Sequence, residues 1–376
     1  MIRRRAKGLD SQAAGAAVAA LRASGNAQRA GAPDPDADLV LGGGSFVDPK
    51  DRKTQRFVFS AVELATARVS LIPTGFLPHG IALDPLRPTR IVAFEKIGPH
   101  SVEIDLASGE ACREIPPADG RWFYGHGAFS ADGKLLYSTE TIRAEGRGVV
   151  GIRDATSLDY LGEFPTYGEN PHDCELIDSG SVLVITNGGG PAGSDMLPSV
   201  TYVEIASQRL LEKVDLPDPR FNAGHLAIPE MRGLVVVSAP RKGLAETDLG
   251  AVSIRRPGEP LRTMIEPVDV AARMAGEALS VRVHEPSGIA AVTHPLGAMM
   301  TFWSLRDARL VKVLDLPRAR GLTLTLDGSR FVVSYGTTAE LALIDPATLE
   351  LETAGGVSRS FLSGSHLFNW SRLVRR

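Results

Sequence analysis

The chain has 376 residues, 43% of them hydrophobic, and a mean hydropathy near zero, so it holds ample material for a large core. Its 41 basic and 44 acidic residues leave a formal charge of -3, which provides no whole-chain attraction to nucleic acid or to an anionic membrane. No apolar run reaches the roughly 18 residues of a membrane span, and the two cysteines, Cys112 and Cys174, make neither a disulfide framework nor a CxxC metal site.

The opening residues, MIRRRAKGLDSQAAGAAVAALRASGNAQRAGA, join an arginine cluster to a small-residue stretch from Ala13 to Leu21, with alanines beyond it. That order resembles a degenerate twin-arginine export signal, interrupted by Asp10 and Gln12, and the expected location is periplasmic. A basic leader without export function, and a cytoplasmic protein, is the alternative. GAPDPDAD reads as a linker, so 1–38 are expected to be leader and linker, 39–370 the folded domain and 371–376 a basic tail.

A repeated unit begins at His79: a polar anchor, an apolar strand, a turn containing Asp or Gly, and a second strand. It recurs at His126 (HGAFSADGKLLYSTE), His172, His225, Ser280 and Arg320, at intervals of 40 to 55 residues, and a last anchor falls at His366. Further strands such as SVEIDLASGE and LALIDPATLE complete each unit. Four strands per repeat of this length predict a seven-bladed β-propeller. The strand at His366 is too near the end to start a complete blade. DLVLGGGS, RFVFSAVEL and ARVSLIPT supply three N-terminal strands, so the two chain ends are expected to share the last blade and close the ring. A β-sandwich with coincidental spacing is the competing fold. A short helix is expected within Val268 to Ser280.

The first strand of each blade lines the channel of a propeller, so the anchors are expected to form one ring at one mouth: His79, His126, His172, His225, Ser280, Arg320 and His366. Apolar residues would pack there at lower cost, which makes a function for the polar ones the better reading. Second-strand ends face the same way and contribute Glu95, Glu140 and Asn187. The candidate metal ligands are therefore His79, Glu95, His126, Glu140, His172 and Asn187, a nitrogen and oxygen set suited to divalent iron, copper or zinc. His225, Arg320 and His366 are candidates for contacting a bound cofactor or a small polar ligand, with Arg320 and protonated histidines suited to a carboxylate. Histidines bonded only to carbonyls and water are the bland alternative.

Cys174 follows His172 by one strand period and is expected on its side, though a small buried thiol is the commoner role. The glycine-rich loop Asn187 to Ser199 and the turn Arg143 to Gly148 leave second strands on the ring face, while His284 and His294 read as surface or turn residues. There is no GxGxxG in a strand-to-helix setting, no GxSxG elbow, no HExxH and no P-loop lysine.

GHGAFSADGKLLYSTE, GRGVVGIRDA, LGEFPTYGENPHDCEL, VLVITNGGG, MLPSVTYVE and GHLAI, in that order, resemble the bacterial domain-of-unknown-function family numbered fifteen-thirteen. The resemblance spans most of Leu39 to Trp370. It implies a seven-bladed propeller exported to the periplasm by the twin-arginine route, with relatives in iron-uptake gene clusters beside imelysin-type and di-haem oxidase proteins. It carries over no catalytic residue. Here the acidic residue after the blade-start histidine is Asp173, and Cys174 separates it from Glu175.

These readings converge on a non-enzymatic periplasmic propeller that binds a metal ion or metal-bearing ligand at its histidine-ringed mouth, with iron acquisition and other periplasmic iron-uptake proteins as the expected setting. A metal-dependent lactonase-like hydrolase, with Glu95 or Glu140 as base, is the first alternative. A protein-interaction scaffold without metal is the second.

Overall fold

The computed structural model describes residues 32–375; the leader proposed for the first residues lies outside them. Seven four-stranded antiparallel sheets form the ring, one sheet per blade. The innermost strands of the first six blades are Pro78–Leu83, Arg121–Phe129, Pro171–Ile177, His225–Ala227, Val281–His284 and Leu322–Leu324. The seventh blade is composite. Phe368–Asn369 is its inner strand, followed outward by Leu39–Val47, Gln55–Glu63 and Arg68–Thr74.

The sequence pattern explains this layering. Second strands such as Arg90–Glu95 (RIVAFE) and Val182–Asn187 (VLVITN) are nearly continuous apolar runs, buried on both faces between neighbouring blades. Outer strands such as Glu110–Glu114 (EACRE) are polar and exposed throughout. The core is consequently a ring of inter-blade clusters. Leu41, Phe59, Ile91 and Ile104 pack the seventh blade on the first, and Tyr137, Phe164, Leu183 and Ile185 pack the second on the third.

Closure rests on few strand pairs and several side chains. Val40 pairs with Asn369 and Leu41 with Phe368. The Asn369 amide donates to Asp38 Oδ1 at 2.6 Å and to the Leu324 carbonyl at 3.0 Å, joining both termini to the sixth blade. From Trp370 the chain forms a short helix, Trp370–Val374. Its Trp370 indole is buried and donates to the Pro88 carbonyl at 2.6 Å. The closure also requires glycine: a Cβ on Gly43 would stand 1.9 Å from the Pro78 carbonyl oxygen. The helix expected within 268–280 is a single turn, Val268–Ala271, in the connection to the fifth blade. No helix among the described residues is long and apolar enough to cross a membrane.

Candidate metal centre

Local irregularities aim three histidines at the channel. In the first blade, pairing steps from Pro78 with Glu95 to Gly80 with Phe94, and His79 falls between them. In the second it skips from Phe123 with Glu140 to Gly127 with Ser138, and in the third from Pro171 with Asn187 to Cys174 with Ile185. His126 and His172 lie in those unpaired stretches, where a bulge re-aims a side chain that regular pleating would direct elsewhere. His225 opens the inner strand of the fourth blade, and His366 stands just before that of the seventh.

These five of the eight histidines meet in one cluster, each buried, with ring centroids 4.1 to 5.3 Å apart across nine of the ten pairs. Space for the rings is left by the glycines beside them. A Cβ on Gly80 would lie 2.6 Å from His126 Nδ1, and one on Gly125 would lie 2.7 Å from His79 Cδ2.

The anchors are not all equivalent. Backbone N–H groups of His126, Asp173, Ser280 and Gly321 donate to the hydroxyls of Thr139, Thr186, Thr293 and Ser334 within their own blades. The first three hydroxyls reach across to the next blade, to the carbonyls of His172, Gly224 and Arg320, at 3.1, 2.6 and 2.6 Å. Asp173 thus occupies the place in its blade that His126 occupies in the second. His172 and Arg320 sit one residue earlier, in the place of Gly224.

That offset puts the Asp173 carboxylate beside the preceding blade's histidine, with Oδ1 3.1 Å from His126 Nδ1. Asp173 is itself held by N–H groups of Cys174, at 2.9 Å, and Leu226, at 3.1 Å. His172 Nδ1 is 2.9 Å from the Tyr124 carbonyl and His225 Nδ1 is 2.6 Å from the Leu279 carbonyl. A carbonyl only accepts, so in both rings Nδ1 carries the proton and Nε2 presents its lone pair. His126 has the same polarity, and its buried Nε2 has no hydrogen-bond partner.

The Nε2 atoms converge. His225 Nε2 is 2.8 Å from those of His172 and His366 and 3.2 Å from that of His79; His79 Nε2 is 3.3 Å from His172 and 3.4 Å from His366. One ring nitrogen from each of His79, His126, His225 and His366 lies within 4.8 Å of the others, a spacing that could hold a metal ion. Burial holds all five pKa values below the usual imidazole range, and for all but His126 neighbouring histidines depress them further. Lys96 adds its repulsion at each ring. Asp173 opposes the shift at His126. These directions favour neutral rings, and between His172 and His225, whose Nδ1 atoms carry the protons, lone pair faces lone pair.

The second-strand candidates are placed elsewhere. Glu140 is fully buried against Arg153, whose Nη1 is 2.6 Å from Oε1, and also accepts from the Ser138 hydroxyl at 2.7 Å. Glu95 accepts the His100 N–H at 3.2 Å, and burial raises its pKa. The Asn187 amide donates to the Thr201 hydroxyl at 3.1 Å and is 3.4 Å from the Thr166 carbonyl. Arg320 Nε is 3.3 Å from the Gly364 carbonyl. Strand ends reach the expected mouth, but at Glu140 and Asn187 the side chains turn outward to the third strand of the blade.

Cys174 packs among the apolar residues between the second and third blades, because the bulge at His172 and Asp173 breaks the alternation that would align it with His172. His284, expected at the surface or in a turn, is the buried last residue of the fifth blade's inner strand, its Nδ1 2.7 Å from the Ser287 hydroxyl of the turn that follows. His294, expected at the surface or in a turn, is fully buried: it ends a second strand on the face that packs against the preceding blade, with Nε2 2.9 Å from the Thr301 hydroxyl.

The cluster stands between two cavities. One, of about 1120 Å³, is lined in part by His126, Asp173, His225, Ser280 and His366. The other, of about 110 Å³, is lined by His172 and His225 with Lys96, Tyr124, Asn222 and Lys242 among others. His225 touches both.

Fold and site together define a seven-bladed β-propeller whose channel is filled at one level by neutral histidines. The chain belongs to the family described as protein of unknown function (DUF1513), whose model matches residues 74–359. Among curated proteins, none matches it. Among solved structures it is similar to the hydrazine synthase of Kuenenia stuttgartiensis, with 14% identity and a TM-score of 0.60 over 86% of this chain and 99% of that one. It is also similar to the dihydro-heme d1 dehydrogenase NirN in complex with DHE, with 12% identity and a TM-score of 0.58 over 92% of this chain and 78% of that one. At these identities the likeness is one of fold.

Proposed function

We propose that the protein binds one divalent transition-metal ion through the Nε2 atoms of His79, His126, His225 and His366, with His172 at the edge of the same site. The observation that carries this is the 2.8 Å contact between His172 Nε2 and His225 Nε2, both unprotonated. Two lone pairs at that separation repel, and a cation between the rings converts the repulsion into ligation. The spacings suit one ion: nitrogens about 2.0 to 2.1 Å from a metal stand about 3 Å apart along a coordination edge. Imidazole donors suit iron, copper, zinc or nickel. The Nδ1 atoms of His126, His172 and His225 have the carboxylate and carbonyl partners that orient metal-bound histidines.

Binding is favoured over hydrolysis, because Glu140 is engaged by Arg153 and Glu95 by the His100 backbone, leaving neither as a ready general base. A bare ion is favoured over a metallated macrocycle, because nitrogens 2.8 to 3.4 Å apart leave no slot for one between them. We place this activity in the periplasm and in iron handling, on the strength of the arginine-rich leader and the family resemblance. Metal analysis of tag-free protein grown with iron, copper and zinc, beside a His79→Ala, His225→Ala, His366→Ala variant, tests the reading. One ion per chain in the parent and none in the variant supports it; a metal-free parent overturns it.

A further inference from the structure

The smaller cavity has properties that the metal site alone does not explain. It is about 110 Å³, room for roughly three or four water-sized groups at about 30 Å³ each. Its lining includes two cations, Lys96 and Lys242, against one carboxylate, Glu277, which lies 3.5 Å from Lys96 Nζ. Lys96 is close enough to act on all five imidazoles. Asn222 also lines it and is fixed through Oδ1 by the Ala239 N–H at 2.8 Å, so its amide hydrogens remain to donate. Two of the five histidines, His172 and His225, form its floor.

We infer that this cavity admits a small anion of three or four heavy atoms, which reaches the metal beside His172 under the positive field of Lys96 and Lys242. The inference rests on the metal reading above. His172 is the ring suited to share or yield its place, because it stands outside the group of four whose ligating atoms are mutually within 4.8 Å. Opposite charge at the entrance raises the local anion concentration.

The test uses full-length protein loaded with Cu(II), its copper content measured independently, and titrated with azide as the probe while charge-transfer absorption is followed. A saturable new band is expected. Replacing both lysines, as Lys96→Ala with Lys242→Ala, is expected to weaken azide binding roughly tenfold while copper content stays unchanged; Lys242→Glu alone is expected to weaken it in the same direction. Copper loading without an azide band overturns the inference and leaves the metal reading standing. So does an azide affinity indifferent to both lysine variants. Failure to load copper removes both.

Discussion

Asp173 of the third blade holds His126 of the second: its Oδ1 lies 3.1 Å from His126 Nδ1, while N–H groups of Cys174 and Leu226 fix the carboxylate in place. A histidine of one blade is thus oriented by its neighbour, so a metal site built on it would depend on the ring being assembled. Asp173→Asn keeps the shape but replaces the anion with a weaker acceptor. Metal affinity is expected to fall about tenfold to a hundredfold, with the unfolding midpoint of the metal-free protein little changed. Competition against a chromophoric chelator measures the first and thermal unfolding the second.

His225 makes the shortest Nε2 contacts in the cluster, 2.8 Å to His172 and to His366, with His79 at 3.2 Å. His225→Ala is expected to cost at least about a hundredfold in metal affinity, more than the loss of the orienting Asp173. Equal affinities in His225→Ala and the parent, measured in the same competition assay, would contradict a centre built on this ring.

Glu140 and Arg153 provide the contrasting case. Their side chains are 0% and 1% exposed and their contact is 2.6 Å. Removing one member strands the other, so Arg153→Met is expected to destabilise the protein by about 3 to 5 kcal/mol. Metal affinity at moderate temperature should not change. Urea unfolding beside a metal titration separates these outcomes, and a large loss of affinity would place Glu140 among the ligands.

Acid sensitivity follows from the same burial. The five clustered histidines have pKa values lowered by burial, and burial pushes His294 down to about 3. Unfolded, each titrates near 6.5. Below that pH the unfolded chain binds protons that the folded chain refuses, so stability is full above about pH 6.5 and declines as the pH falls toward the folded values. Metal-free protein is expected to show a urea midpoint that drops steadily from pH 7.5 to pH 5. Bound metal, which favours the folded state, should raise the midpoint at each pH, the unfolding free energy increasing by about 2.7 kcal/mol where free metal is a hundredfold above Kd. A flat profile without metal would refute neutral buried histidines.

Much of this was legible in the sequence. Seven blades and their shared closure could be read because every unit repeats an apolar second strand and a polar outer one, as RIVAFE and EACRE do. All five clustered histidines were legible as anchors for the same reason. The one-residue offset between His126 and His172 was not, because a bulge is a backbone irregularity with no fixed residue signature. The adjacent pair His172 and Asp173 was the available clue to the orienting carboxylate. Glu140 misled because its partner Arg153 comes from the next strand, and strand periodicity does not indicate which long side chain will meet it. His294 misled because a histidine near a turn ordinarily faces water, whereas here it is covered on the side of the preceding blade.

The claim that neutral histidines converge on one ion is tested most directly by X-ray absorption at the edge of the metal that copurifies with the protein. The account predicts a first shell of nitrogen donors about 2.0 to 2.1 Å from the metal, with the multiple-scattering signature of at least four imidazoles. A shell dominated by oxygen or sulfur, or by one or two imidazoles, would contradict it.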